Sequence, residues 1–138
     1  MSIATLLAIT SIPAKALDDG LVYVAVDPCR IVDTRNAGGA ISADTSRNFL
    51  VSGTSAQLSA QGGTADCLNP RAGSKPLAIS AYVLAVPPVS GSDAGVLTAF
   101  PAGDPDPAVG AGSTVNFAAG QVIGNTTTIT LCDPTGTC

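Results

Sequence analysis

The sequence has no histidine, no tryptophan and no glutamate. Without His, the Ser–His and Cys–His pairs that activate a nucleophile are excluded. Charged residues make up only 12% of the chain, half the usual share of about 25%. The six basic residues are scattered along the chain; with no Lys/Arg cluster to neutralise a run of phosphates, no nucleic-acid partner is expected. There is no G-x-S-x-G elbow and no P-loop. With every acid an Asp and no supporting motif, a carboxylate pair for glycoside hydrolysis has nothing to recommend it. No apolar run is long enough for a membrane span. Two Tyr and three Phe are a thin supply of platforms for stacking sugars.

What is present points to strands. Hydrophobic residues reach 46% of the 138 positions, mostly Ala, Val, Leu and Ile, with 15 Gly and 10 Pro as punctuation. Long helix formers are scarce. That balance favours short strands joined by tight turns over a helical bundle. Strand candidates are residues 21–26, stopped by Asp27-Pro28, then 29–35 (CRIVDTR), 47–52 and 77–86, closed by Pro87-Pro88. Residues 95–100, 113–117 and 121–131 follow, the last with the alternation TTTITL. The Ser/Gly/Gln-rich stretch up to Gly63 reads as loop, and no helix is expected after the N-terminal segment. About seven short, evenly spaced strands read as an all-β fold, a β-sandwich or barrel. The expected organisation is an apolar segment over residues 1–20 and one β domain over 21–138.

Residues 2–16, SIATLLAITSIPAKA, end in Ala14-Lys15-Ala16, a small-x-small pattern suited to signal peptidase, although a basic region before it is missing. The other reading is a retained assembly segment. Two-residue alternation puts Ile3, Leu7 and Ile9 on one side with Thr5, which a strand lying in a groove would use.

The four cysteines, Cys29, Cys67, Cys132 and Cys138, form an even set in a small chain with export features, the pattern of a disulfide framework. They lack the short paired spacings of structural zinc ligands. Asp133-Pro134-Thr135-Gly136 suits a β-turn with Pro second, so a disulfide from Cys132 to Cys138 is sterically natural. Cys29 and Cys67 remain to pair, closing a loop that constrains the unfolded chain by roughly 3–4 kcal/mol. Oxidising surroundings follow: periplasm, cell surface or medium.

Within CRIVDTR a regular strand sends Cys29, Ile31, Asp33 and Arg35 to one face, with Arg30, Val32 and Thr34 on the other. Asp33 and Arg35 can then pair, or Asp33 can hold a loop through backbone N–H groups. Such a cluster reads as an ionic lock rather than a catalytic pair. Asp104 and Asp106, with Asp93 before them, offer oxygens for Ca²⁺ but lack the spacing of an EF-hand loop, and the prolines among them suit turns. No metal or other cofactor is expected. Asn125-Thr126-Thr127 is a glycosylation sequon, relevant in a host with that machinery.

Residues 28–35, PCRIVDTR, resemble the P-C-R-x-x-D-T-R signature of a family of secreted bacterial β-domains, often found in tandem in exported proteins. Cys67-Leu68-Asn69-Pro70 is similar to its Cys-x-x-Pro turn, residues 95–103 to its G-x-L-T-x-F/Y-P-x-G strand and turn, and residues 113–125 to its S-x-x-N-F…GQ…N stretch. The likeness runs over roughly residues 23–132. It implies a secreted β fold, with Cys29, Arg30, Asp33, Thr34 and Arg35 as its structural signature, and no particular activity. The family pattern continues into a further strand, whereas this chain ends at Cys138. One expectation is a sheet with an unpaired edge, which the N-terminal segment of a neighbouring subunit would complete. The other is a shortened gene product.

Together these features favour a non-enzymatic, extracellular structural protein: a filament, surface-layer or adhesive subunit that self-associates by strand exchange. The alternative is a carbohydrate- or surface-binding module of an exported protein, with glycans as partners.

Overall fold

A computed structural model describes residues 22–64, 67, 76–87, 93–107 and 111–132. Among the described residues the structure is β apart from one short helix, in the order α1 (Ser55–Ala60), β1 (Ala78–Ala85), β2 (Gly95–Leu97), β3 (Val115–Phe117) and β4 (Ile123–Thr130). The strands form two antiparallel pairs, β1 with β4 and β2 with β3.

This is not the sandwich of seven strands that the alternation suggests. Among the described residues, 22–31 and 47–50 carry no strand pairing, and in CRIVDTR only Val32 makes a β-bridge, to Gly62. The chain turns at once over residues 34–38, because the Asp33 carbonyl accepts from the N–H groups of Asn36 and Ala37. Apolar alternation marks a surface able to join a sheet; among the described residues these segments have no neighbouring strand.

The helix is a second departure. It falls in the Ser/Gly/Gln-rich stretch read as loop. Six residues cannot sustain a helix by propensity alone, and this one is set up by a capping box: Gln57 N–H donates to Thr54 Oγ1 at 3.3 Å and Thr54 N–H donates to Gln57 Oε1 at 2.8 Å. Leu58, 1% exposed, anchors it.

The β1–β4 ribbon runs in unbroken register from Ala78 opposite Thr130 to Ala85 opposite Ile123, and Leu131 N–H to Leu77 C=O (2.8 Å) extends it. Glycines lie under two aromatic rings. A Cβ at Gly124 would stand 2.5 Å from Tyr82 Cζ, and one at Gly95 would stand 2.7 Å from Phe117 Cζ; the rings cover backbone that a side chain would otherwise shield. β3 lies against both β1 and β4. Buried apolar side chains among the described residues are Leu58, Ala85 and Val115.

Candidate functional site

The densest polar construction is centred on Asp33, the buried charged residue among those described, 8% exposed. Its backbone is fixed first. Asp33 N–H donates to Gln61 C=O at 3.1 Å, beside the bridge from Val32 to Gly62, and Thr64 N–H donates to Arg30 C=O at 2.7 Å. Residues 30–33 thus lie along residues 61–64. The approach is close enough that only glycine fits at 62: its φ is +82°, and a Cβ there would collide with the Asp33 carbonyl oxygen. The disulfide from Cys29 to Cys67, with Cα atoms 5.4 Å apart, closes the same end.

Gln61 ties in a third segment. Its Nε2 donates to the carbonyls of Ile31 (2.8 Å) and Leu50 (2.6 Å), while its Oε1 accepts from Leu50 N–H at 2.9 Å. The side-chain amide thereby takes the place of a peptide group and pairs with Leu50 as a strand would. Nearby, Arg47 donates to the carbonyls of Gly39 and Ala40.

On this frame the Asp33 carboxylate is held by both flanking arginines. Arg35 grips it in bidentate fashion, Nε to Oδ1 at 2.9 Å and Nη2 to Oδ2 at 2.7 Å, and its N–H donates to Oδ1 at 3.1 Å. Arg30 Nη1 reaches Oδ2 at 3.1 Å. The pairing of Asp33 with Arg35 follows from a turn, not from a shared strand face. That is also why Arg30, placed on the opposite face by strand alternation, converges on the same carboxylate. Thr34 lies in the turn between them. The Arg35 guanidinium, above all through its hydrogen bonds, lowers the Asp33 pKa from 3.8 to about 2, against the opposing pull of burial. The same contact raises Arg35. A carboxylate so stabilised in its charged form is a weak proton acceptor; its chemistry is that of an anchor, with two half-exposed guanidiniums outside it.

Cys132 is disulfide-bonded; its expected partner Cys138 lies outside the described residues, as do Ile3, Leu7 and Ile9. Asp93, Asp104 and Asp106 are exposed, and among the described residues no group of three or more ligating side chains gathers to hold a metal. Asn125, in the sequon, sits on β4 with its Nδ2 donating to Thr114 C=O at 3.1 Å. No described helix is long and apolar enough to cross a membrane. The role of Gln61 was missed from the sequence, although Thr54-x-x-Gln57 before Leu58 is a legible helix start.

The open surface lies on the ribbon. Tyr82 (66% exposed) and Leu84 follow one another along one face of β1, with Val86 exposed just beyond its end and Val122 just before β4. Comparison with protein-family models, with curated proteins and with solved structures returned no match.

Proposed function

We propose that this chain is an extracellular assembly subunit, of a filament or surface layer, whose sheet is completed by strand exchange between copies. The observation that carries this reading is the unfinished β1–β4 ribbon. A two-stranded ribbon is marginal in water by itself, and among the described residues no third strand pairs with either edge of this one. Leu77, Tyr82, Leu84, Val86 and Val122 remain exposed. Proteins that must stay monomeric guard such edges with charge or proline; residues 77–86 and 122–131 contain neither. The Cys29–Cys67 disulfide suits an oxidising compartment, and the P-C-R-x-x-D-T-R resemblance points the same way.

Sedimentation velocity and negative-stain microscopy test this reading. Polymers that form without added ligand are expected. A monomer that persists at about 100 μM, a concentration at which a micromolar association would be almost complete, refutes it.

A second reading has one observation in its favour. Tyr82 lies over Gly124 with its outer side exposed, flanked on β4 by exposed Thr126 and Thr128, an aromatic platform with hydroxyls beside it. A glycan-binding module would be a monomer retained on an immobilised polysaccharide, and Tyr82→Ala would release it.

A further inference from the structure

We infer that residues 22–26 (VYVAV) of one copy add as a strand to the open edge of β1 in a second copy. This rests on the assembly reading above and deepens it by naming donor and acceptor.

The acceptor follows from the ladder. The bond from Leu131 N–H to Leu77 C=O makes that couple a hydrogen-bonded pair. In an antiparallel ladder such pairs alternate, so with the observed register Ile79, Ala81, Val83 and Ala85 turn their backbone groups toward β4. Ala78, Ser80, Tyr82 and Leu84 turn their N–H and C=O groups the other way, and among the described residues nothing pairs with them. The outer row of β4 is Gly124, Thr126, Thr128 and Thr130, a more polar edge. An apolar occupant therefore fits β1, where Tyr82 and Leu84 flank the unpaired groups.

The donor is the matching half. Residues 22–26 have no strand partner among the described residues, and Val22 and Tyr23 are 84% and 82% exposed, with Val24 and Val26 also exposed. Five extended residues span about 17 Å, the length of residues 80–84. Neither segment carries a charge, so docking strands no ion in the interface. Asp27-Pro28 ends the donor, since proline has no N–H to offer a ladder. Cys29 then fixes it to the disulfide-closed unit, from which the segment extends as an arm about 20 Å long. Strand addition of this kind takes affinity from main-chain bonds and specificity from alternate side chains.

The test uses the full chain. Cysteines placed at Val22, Val24 or Val26 in one tagged copy are combined with cysteines at Ser80, Tyr82 or Leu84 in an untagged copy, under mild oxidation. The expected result is a covalent tagged–untagged pair in at least one combination. In addition, Val24→Lys and Leu84→Lys, at exposed positions where the fold tolerates charge, should each raise the concentration for half-assembly about tenfold or more, with the circular dichroism spectrum unchanged. Polymers that form normally in both lysine variants, with no intermolecular crosslink, overturn this inference while leaving the assembly reading in place. A crosslink that forms only when both cysteines are placed in the same chain overturns it in favour of intramolecular closure. A monomeric wild type overturns both.

Discussion

Gln61→Glu is the sharpest probe of how the disulfide-closed unit is held. The substitution keeps size and shape but replaces the donating amide nitrogen by an oxygen. Oε1 can still accept from Leu50 N–H at 2.9 Å. The other oxygen then faces the carbonyls of Ile31 and Leu50, which Nε2 approaches to 2.8 and 2.6 Å. Two hydrogen bonds worth about 1 kcal/mol each are lost and two acceptors are brought together, so the expected cost is about 2–3 kcal/mol at pH 7. The pH dependence supplies a control. Once protonated, the introduced carboxyl regains a donor, so its folded-state pKa is raised above the unfolded value of about 4.3. The sign follows: the variant's deficit is smallest below that value and grows as pH rises through the raised folded pKa. Urea unfolding of wild type and variant from pH 4.5 to 7 measures it. A deficit below about 0.5 kcal/mol at pH 7, within the range of an ordinary surface change, or one that shrinks as pH rises, refutes the role given to Gln61.

Leu58→Ala should destabilise by about 2–5 kcal/mol, since Leu58 is 1% exposed and α1 has no other buried side chain; a urea midpoint shift of under 1 kcal/mol would show that the helix is not anchored there. Asp33, with its pKa depressed to about 2, contributes stability that is fully present above 3.8 and is lost as pH falls through about 2. Unfolding midpoints of the wild type should therefore fall between about pH 4 and pH 2, and those of Asp33→Asn should fall less; parallel profiles would refute the lock. Replacing Cys29 and Cys67 together by Ser should cost roughly 3–4 kcal/mol through the 38-residue separation they span, read by thermal unfolding; an unchanged midpoint would show that the bond constrains nothing.

What could be read from the sequence divides along physical lines. The strands at 78–85 and 123–130 were visible because long apolar or alternating runs ended at Pro87 or followed the Gly120 turn, and the ribbon uses that same alternation. Residues 21–26 and 47–52 carry the same signal but carry no strand pairing where described, because alternation reports a pleated surface and not the partner that would bond to it. CRIVDTR misled in a different way. Its charged residues do converge, but Asp33 closes a turn through its own carbonyl and carboxylate, which places Arg30 and Arg35 on the same group despite their opposite strand parity. Gln61 was illegible because its role depends on the carbonyls of Ile31 and Leu50, remote in sequence, coming together in space.

The two regions solve the problem of a sparse core by different means. Residues 29–64 fix their backbone with a disulfide, a capping box, the Gln61 amide and the Asp33 carboxylate, so order there rests on directional bonds and a covalent closure more than on apolar area. The ribbon has no comparable network of side-chain bonds and no charge along either strand. It relies on main-chain pairing, the Tyr82 ring over Gly124 and the packing of β3 against both strands. Apolar burial is the dominant favourable term for a domain of this size, and the large apolar side chains still exposed are concentrated on the ribbon and on residues 22–26. Joining these two surfaces would bury apolar area and satisfy the outward backbone groups of Ser80, Tyr82 and Leu84 in one step. The cost falls mainly on ordering five residues, at about 1–2 kcal/mol each for the backbone. Cys29, bonded three residues beyond the segment, already restricts where the arm can go, so part of that entropy is lost before docking begins.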